Sequence, residues 1–331
     1  MAALTATNPT LLDFANAMDP DGKIAQVVEL MNQENGILED ITFQEGNLPT
    51  GHKTTVRTGL PTPTWRKMYG GVQPAKATTA QIQDSCGMLE AYAEVDKALA
   101  DLNNNSAAWR IQQDAAFIEG MAQEFASTLF YGNEGTEPEA FTGLAPRFNS
   151  LSAENADNIV SGGGSGADNT SIWLCVWGPR TGYGIFPKGS KAGLQITDKG
   201  QVTIEDANGS NGGRMEAYRT HYRQDVGLTI EDWRYFVRIP NIDISDLGTL
   251  ANTKNLLTWM IQATERIPSF GRGRACFYVN RTIREKLRLG IIEKISNNLS
   301  WETVSGKRVM TFDDIPVRRC DALVNNESVV S

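Results

Sequence analysis

Residues 105–132 read NSAAWRIQQDAAFIEGMAQEFASTLFYG, the longest stretch of the chain with an unbroken helical period and recognisable ends. Phe117, Met121, Phe125 and Leu129 recur at helical spacing, with Trp109 and Thr128 near the same side, so one apolar stripe runs most of the length. Asn105 or Ser106 can accept hydrogen bonds from the open N–H groups of the first turn, and Gly132 is expected to close the last turn in the left-handed conformation. At 1.5 Å per residue the helix is roughly 39 Å long, enough to span a domain. Its polar side, with Arg110, Gln113 and Glu119, is expected to face solvent or a second molecule.

The segment before this helix cannot make a core of its own. Residues 41–80 are rich in Thr, Gly and Pro and carry Lys53, Arg57, Arg66, Lys67 and Lys76 against Glu45. Glycines and prolines break any long helix there, whereas Thr and Val permit extended strands. Long segments of this kind are usually functional, and a basic arm lying across a neighbouring molecule is the sharper expectation beside a solvated hairpin. Residues 1–40 are acidic, with Asp13, Asp19, Asp21, Glu39 and Asp40 as candidates for a complementary surface on an identical chain. A helix capped by Asp19, with Pro20 in its first turn and Gly36 at its end, is expected within them. Residues 82–102 mix alternation through Ile82, Asp84, Cys86 and Met88 with a short helical pattern.

The rest of the chain divides into a β-rich middle and a mixed end. Strands are expected at residues 172–177, 184–186, 194–204, 214–223 and 233–239, helices at 255–266 and 281–289, and a strand at CFYV between those helices. A hairpin around Ser305 and Gly306 closes the chain, and the acidic pairs Glu205-Asp206 and Asp313-Asp314 read as turns.

Composition excludes several functions. A formal charge of −8 over 331 residues argues against a protein that grips nucleic acid across much of its surface. No apolar run is long enough to span a bilayer as a helix, and the start lacks the pattern of a signal peptide. The cysteines Cys86, Cys175, Cys276 and Cys320 form no C-x-x-C pair and read as reduced thiols. With only His52 and His221, a histidine metal site or a Ser-His-Asp triad has few members available. The G-x-G-x-x-A match at residues 162–167 follows no strand and precedes one where a helix is required. The reading is therefore no catalytic, cofactor-binding or metal residue. Scattered carboxylates and tryptophans leave two alternatives: a carboxylate-dependent hydrolase, and, from Trp173, Trp177 and the β-rich middle, a β-rich decoration or adhesion protein.

Long strings of the chain carry a family resemblance. GLPTPTWRKMYGGVQPAKATTAQIQDSCGMLEAYAEVDKALADLN, FIEGMAQEFASTLFYGN, FTGLAPRF, DNTSIWLCVWGP, GIFPKGSKAGLQ, EAYRTHY, DWRYFVRIPNID, ACFYVNRTI and IPVRRCDAL resemble the major capsid protein of tailed double-stranded DNA bacteriophages. The resemblance implies an α+β, Hong Kong 97-like capsid fold: an N-terminal arm, an extended E-loop hairpin, a peripheral domain on a long spine helix beside a β-sheet, and an axial domain. The pieces are expected at residues 1–40 for the arm and its helix, 41–80 for the E-loop, 81–243 for the peripheral domain with its spine at 106–131, and 244–331 for the axial domain. Because most peripheral-like strands precede the axial-like helices, a permuted strand order is expected, and a chain that returned to the spine helix after Arg319 would overturn it. The resemblance further implies self-assembly into pentamers and hexamers of an icosahedral shell around double-stranded DNA. Cementing, portal and scaffold partners, non-specific DNA contact, and assembly in the bacterial host cytoplasm into a virion capsid belong to the same implication. Scaffolding is expected from a separate protein or from none.

Overall fold

The computed structural model describes residues 33–101, 106–205, 213–248, 250–292, 299–304 and 307–331. Its residues fall into two compact units, one from Met1–Gln33, Met88–Phe125 and Lys191–Asp225, the other from Glu34–Gly87, Ala126–Ser190 and Val226–Ser331. In chain order the elements are α1 (Ile37–Asp40), β1 (Phe43–Glu45), β2 (Gly51–Gly59), β3 (Thr78–Asp96), α2 (Lys97–Ala100), α3 (Ser106–Tyr131), β4 (Asn169–Trp177) and β5 (Gly182–Phe186). They continue with β6 (Gln195–Ile204), β7 (Met215–Ile230), β8 (Phe236–Asp243), α4 (Leu250–Arg266), β9 (Arg274–Val279), α5 (Arg281–Ile292), β10 (Leu299–Val304), β11 (Lys307–Phe312) and β12 (Ile315–Arg319). The helix expected to end at Gly36 lies outside the described residues apart from its last positions, and Gly36 itself precedes α1.

In the first unit the apolar stripe of α3 meets the sheet as expected. Met121 packs with Ala93 and Tyr222, flanked by Phe117, Leu89, Ala91 and Leu194, and the Phe117 and Tyr222 rings stack at 5.8 Å. β6 runs antiparallel to the first part of β7, from Gln195 opposite Arg223 to Ile204 opposite Met215. Arg110 departs from expectation. Its guanidinium lies 2.7 Å from Asp198 and 5.0 Å from the Tyr218 ring centroid, so it is turned onto the strands and not outward. Glu119 accepts a hydrogen bond from the Gln33 backbone and another from Gln123.

The second unit is built on a six-stranded sheet in the order β10-β11-β12-β9-β4-β8. All nine residues of β4 are buried, as suits a central strand covered on both faces. Helix α4 packs on β8 and on α5, burying Leu256, Leu257, Met260, Ile283 and Leu287. β4 and β8, read as peripheral strands, pair with each other and, through β4, with β9, because β4 and β9 are hydrogen-bonded partners although about a hundred positions separate them.

Gly132 also serves differently from expectation. It is absent from the glycines with positive φ, and a Cβ there would lie 2.5 Å from the Phe141 carbonyl and 2.7 Å from that of Thr128. Close backbone approach, not left-handed geometry, demands glycine.

The chain comes back to the end of α3 after β12. Tyr131 donates its hydroxyl to Glu327 at 2.5 Å and accepts the Val324 N–H at 3.2 Å. That return removes the expected permutation of strand order. Glu327 is also ion-paired with Arg238 at 2.8 Å, and both are buried. Arg238 donates further to Ser171 at 3.1 Å and to the Phe148 carbonyl at 2.8 Å. Removing one partner of a buried pair strands the other charge, so Glu327→Ala is expected to cost about 3–5 kcal/mol, read from the urea midpoint. An unchanged midpoint would show that the pair is dispensable.

Three of the four cysteines are buried, and Cys175 stands opposite Cys276 across β4 and β9. Burial, with Asp40 beside Cys276, pushes that thiol up to about 12. Burial does the same to Cys320, also about 12. Only about one thiol in ten thousand is ionised at pH 8 when its pKa is about 12, against a free value of about 8.5. Native protein at pH 8 is therefore expected to leave Cys175, Cys276 and Cys320 unlabelled by a thiol reagent, and fast labelling of any of them would contradict this burial. The raised values also set a sign: this stabilisation is complete below about pH 8.5 and declines as pH rises towards 12.

Candidate assembly interface

The arm is a hairpin with a fixed root and a bare tip. β2 pairs antiparallel with β3 from Gly51 opposite Ser85 to Gly59 opposite Thr78, with an irregularity between Arg57 and Gly59. Thr, Val and Ile at alternating positions suit these strands. Between them, residues 60–77 form no regular element.

The root is held by several independent contacts. Asp84 on β3 is buried and ion-paired with Arg147 at 2.8 Å, while Arg147 donates to the Leu228 carbonyl on β7 at 3.1 Å. Gly227 allows the close passage of β7, since a Cβ there would lie 2.5 Å from the Ser85 carbonyl. Asn47 clamps the start of β2 by exchanging hydrogen bonds with the Lys53 backbone, both at 2.8 Å. The Asn47 N–H also donates to His52 Nδ1 at 3.3 Å, and the other ring nitrogen lies 3.3 Å from the Tyr183 hydroxyl, which donates to Glu231 at 2.7 Å. Burial and the Glu231 carboxylate push the Tyr183 hydroxyl far above its usual value. His52 is thus a structural member of the root.

The tip is apolar. Leu60, Trp65, Met68 and Tyr69 are 76, 104, 88 and 101% exposed, with Val72 also on the surface. The run WRKMYGG gave the available signal: large apolar residues in a segment that has no core to receive them. Attention to charge alone misses it.

All five arm cations, Lys53, Arg57, Arg66, Lys67 and Lys76, are exposed, and among the described residues none has an ion-pair partner. Of the acidic candidates, Asp13, Asp19 and Asp21 lie outside the described residues. Asp40 is committed to its own chain. It is buried 3.1 Å from Arg274 and 3.1 Å from Arg318, and it accepts the Tyr278 hydroxyl at 2.9 Å. Glu39 is more open but is paired with Arg318 at 2.6 Å. The helix face away from the core adds Ile111 and Ile118 to the exposed apolar residues.

The chain is similar to one in the near-atomic structure of bacteriophage epsilon15, with 36% identity, a TM-score of 0.79, and coverage of 100% of this chain and 99% of that one. It is also similar in fold to a chain of the bacteriophage JBD30 capsid, at 10% identity and a TM-score of 0.50, over 97% of this chain and 96% of that one. No curated protein matches the sequence. Neither the hydrolase nor the decoration or adhesion reading is favoured by these relatives; they fit a protein that assembles with itself into a shell of capsomers. The family model of major capsid protein GP7 matches residues 19–331, and the chain belongs to that family, as a structural shell protein of a phage capsid.

Proposed function

We propose that the chain builds pentamers and hexamers of an icosahedral shell, and that the hairpin tip is the part that crosses onto the next copy. The observation that carries this reading is the exposed apolar set Leu60, Trp65, Met68, Tyr69 and Val72 on a hairpin whose root is fixed. Burying a large apolar side chain is worth about 1.5–3 kcal/mol, whereas an exposed ion pair is worth about 0–1 kcal/mol. The tip therefore supplies the affinity, and Lys53, Arg57, Arg66, Lys67 and Lys76 set register and partner choice. Acidic residues of the neighbour, among them Asp13, Asp19, Asp21 and Glu39, are their counterparts. The first unit corresponds in this reading to the peripheral domain and the six-stranded sheet with α4 and α5 to the axial domain. Contact with packaged double-stranded DNA is non-specific, in keeping with the charge of −8. Cementing, portal and scaffold proteins are further partners, assembly takes place in the host cytoplasm, and the role is structural and not enzymatic.

The test replaces residues 60–76 by a short Gly-containing turn and leaves β2 and β3 intact. The expected product has the parent's circular dichroism and melting temperature but forms no rings or shells in negative stain at concentrations where the parent does. Assembly of the variant at the parent's concentration would refute the role given to the tip. In the parent, Trp65 burial is expected to add a blue shift of tryptophan emission on assembly that Trp65→Phe lacks.

A further inference from the structure

Helix α3 carries a second apolar stripe, about a quarter turn around its axis from the one that packs on the sheet. Ile111, Ala115 and Ile118 recur at i, i+4 and i+7, and all three are exposed, Ile111 by 70% and Ile118 by 39%. A contiguous apolar stripe on the outer side of a helix whose inner side is already packed marks a contact surface.

The chain itself delivers a segment to this place. Gln33 donates its N–H to Glu119 Oε1 at 3.0 Å, and Glu119 directly follows Ile118. Residues 1–32, which lead into that contact, lie outside the described residues. In their sequence Ile24, Val27, Val28 and Met31 repeat at helical spacing, with Gln26 and Glu29 on the opposite side. A helix as short as residues 20–32 is marginal in water by itself, so the pattern calls for an apolar surface to lie on.

The tether decides which surface and which direction. Only Asn32 separates Met31 from Gln33, so their Cα atoms are at most about 7 Å apart, and Met31 cannot stray far from Ile118. Past Glu119 towards the end of α3, Met121, Phe125, Ala126 and Leu129 are buried, so the open apolar surface runs back from Ile118 to Ile111. The lengths match: Ile24 to Met31 and Ile111 to Ile118 are the same number of residues apart, about 10 Å along either helix.

We propose that residues 20–32 form a helix that docks on the Ile111, Ala115 and Ile118 face of α3 in the same chain, Met31 over Ile118 and Ile24 over Ile111, the two helices running in the same direction. The occupant is the chain's own segment and not that of a second copy, because so short a link raises the effective concentration to about the millimolar range. The proposal does not rest on the ring assembly argued above.

The test uses the full chain at concentrations below shell formation. Lys23 is the only Lys or Arg before Lys53, so a single tryptic cleavage reports on the segment. Cleavage after Lys23 is expected to be roughly tenfold slower in the parent than in a variant carrying Ile111→Gln with Ile118→Gln, because a docked helix is cut only in its open form. Ile24→Gln with Val28→Gln leaves α3 untouched and is expected to accelerate cleavage equally. Equal rates in the parent and both variants would overturn the docking. The occupant is read from Val28→Cys with Ala115→Cys oxidised by diamide, the linked peptides being identified by mass spectrometry. A disulfide within one chain is expected. Linkage of the same two positions between chains would replace the chain's own segment by that of a second copy, and no linkage between them would remove the contact altogether.

Discussion

The buried pair of Arg238 and Glu327 is the constraint on which much of the second unit depends. Taking two charges out of water costs several kcal/mol each, and their attraction offsets this only when the remaining donors and acceptors are also satisfied. Here they are. Arg238 reaches Glu327, Ser171 and the Phe148 carbonyl, with its guanidinium 5.3 Å from the Trp173 ring centroid. Glu327 accepts in addition from Ser171 and Tyr131, and its N–H bonds to the Asn169 carbonyl at 2.9 Å. Strands β4 and β8, the turn after α3, the end of α3 and the last residues of the chain therefore have one mutual arrangement in which no charge is orphaned.

The arm follows the opposite logic. Its root is over-determined, by Asp84 with Arg147, by the Asn47 clamp and by the close passage at Gly227. Its tip is under-determined, because all of residues 60–77 except Gly70 are exposed. Fixing the root lowers the entropy lost when the tip is captured, since only the distal residues must still be ordered. Exposed apolar side chains on a pre-aimed hairpin are a sensible device for a protein that must remain soluble as a subunit and still associate strongly in a shell.

Periodicity made the long helix legible, because a stripe through Phe117, Met121, Phe125 and Leu129 is local information. Pairing is not local. The strand at residues 172–177 was readable as a strand, yet its partner β9 lies about a hundred positions away, and nothing in IWLCVW says which sheet receives it. Arg110 looked solvent-facing on a helical wheel, which shows polarity but not whether Asp198 and Tyr218 wait on the facing strands. Asp40 failed for the same reason. Counting acids over residues 1–40 describes a field, while burial against Arg274, Arg318 and Tyr278 is a property of the folded neighbours. In the arm, the charge pattern was visible and drew attention away from Trp65, Met68 and Tyr69, whose exposure only the fold reveals.

Folding uses many of the arginines internally, as with Arg110, Arg147, Arg238 and Arg318, and leaves the five cations of the arm without an ion pair among the described residues. A contact between copies can only draw on charges that folding has not already neutralised, and it must find the opposite sign elsewhere on the same sequence. At about 0.15 M salt such charges act over roughly 8 Å, too short a range to hold a shell together but long enough to reject a wrong register during docking. Affinity must then come from apolar area, and apolar area carries no sign. In the contact between copies proposed above, the two kinds of residue on one hairpin divide those tasks: Lys53 and Arg57 on β2 with Arg66, Lys67 and Lys76 beyond it select the orientation, and Trp65, Met68 and Tyr69 make the selected orientation persist.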